Sequence, residues 1–212
     1  MKLTGLILAG GRGQRMGGID KGLQPFCGRP MVQAVLERLR PQVDTVLVNA
    51  NQNLERYAAL GYPVLADLID GHAGPLAGLQ AGLAWCAAAG AGATPRAVAP
   101  DALLTVPCDS PRLPTDLARR LAAPLADRAI DLSVAVAQGR EQPVFALVRT
   151  GLAAHLQAFL EGGGRRIDAW YGTLRVARVS FDDEADAFAN VNTLAELALL
   201  ERDASGDRRA PT

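Results

Sequence analysis

The sequence lacks the features that are typical of nucleic-acid-binding and membrane proteins. Only 5% of the 212 residues are aromatic, which is too few for a surface that stacks bases. The 22 Lys and Arg residues equal the 22 Asp and Glu residues in number, so a basic face for a phosphate backbone is not expected. Apolar runs fall short of the roughly 18 residues that span a membrane. The apolar N-terminal stretch breaks at paired glycines, unlike a signal peptide. We therefore expect a cytoplasmic protein that binds neither nucleic acid nor membranes.

Cysteine and histidine are also scarce, and they follow no ligand pattern. Cys27, Cys86 and Cys108 are an odd number at unrelated spacings, which fits neither a disulfide framework nor a zinc site. His72 and His155 lie far apart in the sequence. A metal site or a catalytic triad that is built on these residues is therefore not expected.

Apolar residues, in contrast, make up 49% of the chain. Along the sequence, short apolar runs alternate with segments in which apolar residues recur at helical spacing. Short apolar runs predict strands at 3–9, 45–48, 64–66, 102–106, 134–136, 144–148 and 174–179. Helical spacing or composition predicts helices between Pro30 and Pro41 and at 54–60, 79–88, 152–160 and 194–200. Strands that alternate with helices indicate βαβ units, a parallel sheet and the α/β class. We expect one domain over residues 1–201, a surface insertion within 87–101 and a disordered tail over 202–212.

Polar residues stand directly after three of the predicted strands. Asn49, Asp67 and Asp109 each follow an apolar run. Ligands bind at the carboxyl ends of parallel strands, so we expect these three side chains to converge on one cleft.

A glycine-rich loop at residues 10–22 follows the first predicted strand and concentrates positive charge. The first forty residues hold seven basic and two acidic side chains, and Arg12, Arg15 and Lys21 lie on the loop itself. Uncovered backbone N–H groups beside such cations predict a phosphate-binding loop. The loop is not a P-loop, because Lys21 precedes glycine, nor a dinucleotide fingerprint, because Met16 replaces the third glycine. A flexible loop with solvated charges is the alternative.

These motifs resemble those of a known family. The run L-A-G-G-R-G-Q-R-M-G-G-I-D-K at 8–21 resembles the signature of the GT-A-like nucleotidyltransferases and, more narrowly, of the molybdenum cofactor guanylyltransferases. Further matches follow in the family's order: 48–51, 74–78, 107–111, 164–166 and 188–193. The resemblance spans about residues 4–200. It implies a three-layer, Rossmann-like fold with a mostly parallel sheet and helices on both faces.

The resemblance also implies an activity. The family transfers GMP from GTP to the terminal phosphate of molybdenum-molybdopterin, which forms molybdopterin guanine dinucleotide and pyrophosphate, with Mg²⁺ as the cofactor. Transient contacts with other proteins of molybdenum cofactor biosynthesis and molybdoenzyme maturation are implied as well. Two alternatives stay open: a CTP-dependent transferase that acts on molybdopterin or a sugar-like phosphate, and a non-catalytic carrier that binds a nucleotide or the cofactor.

Carried over residue by residue, the resemblance implies a set of site residues. The nucleotide-binding residues are Leu8, Ala9, Gly10, Lys21, Asn49, Asp67 and Asp109. The catalytic candidates are Lys21, Arg15 and Asp109, where the two cations hold the triphosphate and Asp109 also binds magnesium. Asn190 and Asn192 lie on the molybdopterin side, in the C-terminal part of the domain. The chain departs from the family at Gln142-Pro143, where relatives often have His-Pro.

The residue types at two of these positions suit the implied chemistry. Nucleotidyl transfer needs alignment and neutralisation of charge rather than a protein nucleophile. Magnesium needs hard oxygen ligands, which the carboxylate of Asp109 supplies, although a helix N-cap or a turn is its structural alternative. The carboxylate of Asp67 can accept the N–H donors of guanine, a contact that adenine cannot make. The alternative for Asp67 is a turn-forming residue.

Overall fold

The computed structural model describes residues 1–11, 20–69, 74–90, 99–189 and 194–204. The strands are β1 (Leu3–Leu8), β2 (Pro25–Phe26), β3 (Arg29–Pro30), β4 (Thr45–Asn49), β5 (Val64–Leu65), β6 (Ala102–Pro107), β7 (Leu132–Ala137), β8 (Arg140–Arg149) and β9 (Val176–Ser180). The helices are α1 (Met31–Leu39), α2 (Leu54–Ala58), α3 (Pro75–Gly90), α4 (Leu117–Ala122), α5 (Ala153–Glu161), α6 (Ile167–Tyr171) and α7 (Leu194–Ala204).

Seven of the strands form one sheet, in the order β5-β4-β1-β6-β8-β7-β9. The first four strands in this order run parallel to one another. β8 is antiparallel to both of its neighbours, and β9 is parallel to β7. The α/β class with a mostly parallel sheet is therefore confirmed.

Helices cover both faces of the sheet, because successive side chains of a strand point to opposite faces. On β1, Leu3 and Ile7 pack with apolar residues of α1 and α4. Leu6 points the other way and packs with residues of α3 and α5. The three layers that the family resemblance implies are present.

The structure also differs from the sequence-based elements. The β2–β3 hairpin was not predicted, because its strands are two residues long and its turn, Cys27-Gly28, has positive φ at both residues without the usual Asn-Gly pair. Pro30 ends this hairpin instead of opening the helix, which begins at Met31. α4 and α6, of six and five residues, were missed. α2 is also five residues long but was predicted, at 54–60, because Gly61 marks the end of that segment.

Two further boundaries need correction. α3 begins at Pro75 rather than at residue 79, since proline suits the first position of a helix. α7 continues to Ala204, four residues past the predicted end of this helix at residue 200, so residues 202–204 of the expected tail are helical. The rest of that tail, residues 205–212, and most of the expected insertion lie outside the described residues. No helix in the described part of the chain is long and apolar enough to cross a membrane.

Candidate nucleotide site

The carboxyl ends of three strands meet at one edge of the sheet. Leu8, at the end of β1, is the register partner of Asn49 on one side and of Pro107 on the other. Backbone hydrogen bonds extend these pairings, since the Ala9 N–H donates to the Asn49 carbonyl and the Cys108 N–H to the Leu8 carbonyl. The loops after β1, β4 and β6 are thereby brought together at this edge.

On the β4 side, a carboxylate and two amides form a hydrogen-bonded cluster. Asn49 Nδ2 donates to Asp67 Oδ1 over 2.9 Å and to the Leu65 carbonyl over 3.1 Å. Asn51 Nδ2 donates to Asp67 Oδ2 over 2.7 Å, and the Asp67 N–H donates back to Asn51 Oδ1 over 2.9 Å. Both oxygens of Asp67 are thus held by amides. We refer to Asn49, Asn51 and Asp67 as the amide–carboxylate cluster.

Two glycines let the backbone approach this cluster closely. A Cβ atom on Gly10 would lie 2.8 Å from Asn51 Nδ2. A Cβ atom on Gly78, in the first turns of α3, would lie 2.3 Å from Asn49 Oδ1 and 2.6 Å from Leu8 Cδ2. Atoms cannot approach so closely, so glycine at these positions allows the loop after β1 and the start of α3 to pack against the cluster.

On the β6 side, a lysine from the glycine-rich loop meets the carboxylate that follows the strand. Lys21 Nζ lies 3.0 Å from Asp109 Oδ2, and the two side chains are 21% and 13% exposed. The residues are 88 positions apart in the sequence. Their ion pair places a cation and a hard oxygen donor next to each other at the sheet edge.

Asp20, which precedes Lys21, is buried. The Tyr57 hydroxyl donates to Asp20 Oδ1 over 2.6 Å, and Asn53 Nδ2 donates to Asp20 Oδ2 over 2.9 Å. Burial raises the pKa of Tyr57 well above its usual range, and Asp20 adds to the effect. Burial also raises the pKa of Cys108, with further contributions from Asp109 and Asp20. Tyr57 therefore remains a neutral donor and Cys108 a neutral thiol at physiological pH.

The described residues contain no group of three or more His, Cys, Asp or Glu side chains that could hold a metal ion. Asp109 could hold magnesium as a single carboxylate, since that ion uses one or two carboxylates together with phosphates and water. A run of acidic side chains at residues 182–186 forms a surface ion pair instead of a metal site among the described residues. Both oxygens of Asp183 accept from Arg120 over 2.8 Å, and this surface ion pair lowers the pKa of the carboxyl.

Comparison with known proteins identifies the family. A family model that is described as a MobA-like NTP transferase domain matches residues 5–176. A molybdenum cofactor guanylyltransferase from Bordetella petrii is 52% identical over 202 residues, which cover 93% of this chain and 96% of that protein. Another from Ralstonia nicotianae is 51% identical over 207 residues, with 93% and 95% covered. The chain belongs to the molybdenum cofactor guanylyltransferase family.

A solved structure agrees with this assignment at the level of the fold. The molybdopterin-guanine dinucleotide biosynthesis protein A from Archaeoglobus fulgidus superposes with a TM-score of 0.74 at 22% identity. The match covers 97% of this chain and all of that one. The resemblance to the guanylyltransferases that was drawn from the motifs is confirmed, and the chain is a nucleotidyltransferase.

The structure shows where the site residues that were inferred from the guanylyltransferase motifs lie. Leu8 ends β1, and Ala9 and Gly10 follow it, between the amide–carboxylate cluster and the Lys21–Asp109 pair. Three other inferred residues lie outside the described residues: Arg15, Asn190 and Asn192.

Sequence reasoning missed the parts of the site that depend on tertiary contacts. Asn51 was recognised only as part of a motif, although its spacing of two from Asn49 was a usable signal. The contacts of Asp20 with Asn53 and Tyr57 had no such signal, since these residues lie 33 and 37 positions apart. The family departure, Gln142, lies toward the same sheet edge, because β8 runs antiparallel to β6.

Proposed function

We propose that this protein transfers GMP from GTP to the terminal phosphate of molybdenum-molybdopterin and releases pyrophosphate. The observation that carries the proposal is the position of two polar sets on either side of the end of β1. The amide–carboxylate cluster lies on the β4 side, and the Lys21–Asp109 ion pair lies on the β6 side. One set suits a purine base, and the other suits phosphates and a metal ion.

The amide–carboxylate cluster would recognise guanine. The Asp67 carboxylate accepts hydrogen bonds, and guanine presents two adjacent N–H donors that adenine does not. Asn49 and Asn51 each donate to one oxygen of Asp67, so the carboxylate is oriented before the base binds. Preorganised polar groups of this kind reject analogues that leave them unpaired.

Lys21 would hold the triphosphate, together with Arg15 and the backbone of Leu8, Ala9 and Gly10. The ammonium group of Lys21 lies at the sheet edge, 3.0 Å from Asp109 Oδ2. Charge-assisted hydrogen bonds to phosphate oxygens are among the stronger contacts that a protein can make. The glycine content of the loop supports this role, because glycine has no side chain that could cover a backbone N–H group.

Asp109 would hold magnesium. The side chain offers hard oxygen atoms, is 13% exposed and stands beside a cation that can contact the same phosphates. The neighbouring Cys108 is buried with its Sγ atom close to Gly22, and magnesium takes oxygen rather than sulfur ligands. When bound, the metal would neutralise the negative charge that develops on the phosphates during transfer.

The remaining residues need only align the two substrates. An oxygen of the terminal molybdopterin phosphate forms a bond to the α-phosphorus of GTP, and the bond from that phosphorus to the bridging oxygen of pyrophosphate breaks. No protein nucleophile is required, and placement of the attacking and leaving oxygens in line lowers the barrier.

Asn190 and Asn192 would bind the molybdopterin side. Delivery of the substrate and removal of the product would involve transient partner proteins of the pathway.

The test is incubation with molybdopterin, magnesium and each of the four nucleoside triphosphates, followed by mass analysis. Of the four nucleoside triphosphates, we expect only GTP to give a dinucleotide and pyrophosphate. A preference for CTP would replace the proposal with a cytidylyltransferase. Tight GTP binding without any dinucleotide would indicate a carrier instead.

A further inference from the structure

Tyr57 connects α2 to the loop that carries Lys21. Its side chain is fully buried, and its hydroxyl reaches 2.6 Å from Asp20 Oδ1. The second oxygen of Asp20 accepts from Asn53, the residue just before α2, which has a positive φ of 52°. α2 and the residue that precedes it therefore supply the two donors that hold Asp20, next to Lys21 in the sequence.

The buried state of Asp20 makes these two donors necessary. Asp20 is 8% exposed, and a buried carboxylate is costly unless hydrogen bonds replace its water. Tyr57 and Asn53 each donate to one oxygen of Asp20 and so hold its carboxylate in place. These contacts fix the backbone at one side of Lys21.

The residue on the other side of Lys21 is fixed by the same tyrosine. A Cβ atom on Gly22 would lie 2.6 Å from the Tyr57 hydroxyl oxygen and 3.2 Å from Cys108 Cβ and Sγ. Gly22 therefore packs into a corner that Tyr57 and Cys108 form. Cys108 is the residue before Asp109, so Tyr57 lies where the two loops of the ion pair meet.

We propose that Tyr57 is a positioning residue, which acts through Asp20 and Gly22 to hold the Lys21 ammonium at the phosphate side of the site. This role rests on the proposed function, in which Lys21 binds the GTP triphosphate. Without the hydroxyl, one oxygen of Asp20 loses its donor, and the 20–22 turn is free to relax. Lys21 is then no longer preorganised, and preorganisation contributes directly to affinity.

The test is a double-mutant cycle on GTP affinity, measured by calorimetry, with Tyr57→Phe and Lys21→Ala alone and combined. We expect Lys21→Ala to weaken binding by roughly one to two decades and Tyr57→Phe by about tenfold. If Tyr57 acts through Lys21, Tyr57→Phe should weaken binding by less than about twofold in the Lys21→Ala background. A purely structural role of Tyr57 would give equal losses in both backgrounds.

The matched control is Tyr171→Phe. Tyr171 is also buried, and its hydroxyl donates to the Pro143 carbonyl over 2.7 Å. It belongs to the apolar cluster on the opposite face of the sheet from Tyr57. This variant loses the same chemical group and should bind GTP like the wild type.

Each other outcome counts against a specific claim. Wild-type affinity in Tyr57→Phe, or equal losses in both backgrounds, would overturn the positioning role while leaving the proposed function intact. Wild-type affinity in Lys21→Ala would overturn the placement of the triphosphate and the role of Tyr57 with it. If thermal melting shows that Tyr57→Phe is unfolded, Asn53→Gly enters the same cycle with the same criteria. It removes the other donor to Asp20, while glycine accepts the positive φ.

Discussion

At the scale of single residues, the charge on Asp109 is the feature on which the proposed chemistry depends most. Asp109→Asn keeps the size of the side chain but replaces a carboxylate with an amide, which is a poorer magnesium ligand. We expect turnover to fall roughly a hundredfold, since loss of a charge-stabilising group costs about 3 kcal/mol in the transition state. Steady-state kinetics at saturating magnesium measure this loss.

Asp183→Asn is the matched control for this change. Asp183 is also a carboxylate that pairs with a cation, but its partner is Arg120 on the protein surface. The same substitution there should leave turnover unchanged. Near-normal turnover in Asp109→Asn would remove that residue from the reaction centre.

A second residue-scale prediction concerns Asn51, which holds one oxygen of Asp67. Asn51→Ala removes the donor 2.7 Å from Asp67 Oδ2 and the acceptor for the Asp67 N–H. We expect GTP affinity to fall by about tenfold, the worth of a hydrogen bond to a charged group. The affinity for ATP should fall by less, so the ratio of GTP affinity to ATP affinity should decrease. Competition binding with both nucleotides measures this ratio, with the exposed neighbour Gln52→Ala as the control. Unchanged selectivity would show that Asp67 needs no support from Asn51.

At the scale of elements, the first turns of α3 must lie close to the ends of β1 and β4. Gly78→Ala gains helix propensity of about 1 kcal/mol but places a Cβ atom 2.3 Å from Asn49 Oδ1. Overpacking of this kind costs about 1–3 kcal/mol. We expect a modest loss of stability and a clear loss of GTP affinity, because Asn49 has to move.

Gly82 on the same helix separates these two effects. A Cβ atom there would lie 2.7 Å from Leu6 Cδ2 and 2.8 Å from Leu103 Cδ2, in the core rather than at the site. Gly82→Ala should therefore lower the melting temperature but leave GTP affinity near the wild-type value. Equal losses of affinity in the two variants would contradict a specific contact between Gly78 and the site.

The sequence was most informative about the elements that carry the site. β4, β5 and β6 are short apolar runs that Asn49, Asp67 and Asp109 end or follow, so the pattern predicted these strands. The hydrogen bond between Asn49 and Asp67 agrees with the predicted convergence, and a cleft that they share with Asp109 stays a prediction. The β2–β3 hairpin, α4 and α6 were missed, because elements of two to six residues show little periodicity. β5 and α2 are as short, but they lie within the longer segments predicted at 64–66 and 54–60. The support of Lys21 by Tyr57 was missed for a different reason. It depends on packing between segments that are distant in sequence, which no local pattern records.

At the scale of the whole molecule, the direction of β8 makes an otherwise parallel arrangement of strands mixed at this point of the sheet. The strands from β5 to β6 are parallel, so their carboxyl ends share one edge. β8 runs the other way, which brings its first residues, including Gln142, toward that same edge. Loops from both halves of the chain thus contribute to one side of the molecule, as a reaction between two substrates requires.

The pairing of β1 with β6 also has a consequence for folding kinetics. Residues 3–8 of β1 pair with residues 102–107 of β6. Contacts so distant in sequence form late, because the entropy cost of closing a long loop comes before the stabilising contacts are made. The glycine-rich loop is synthesised early, but Lys21 gains Asp109 as its partner only after β6 has docked. We therefore expect binding of a fluorescent GTP analogue to appear with the slowest refolding phase in stopped-flow experiments. Its appearance in an earlier phase would mean that the N-terminal segment binds nucleotide before the sheet is complete.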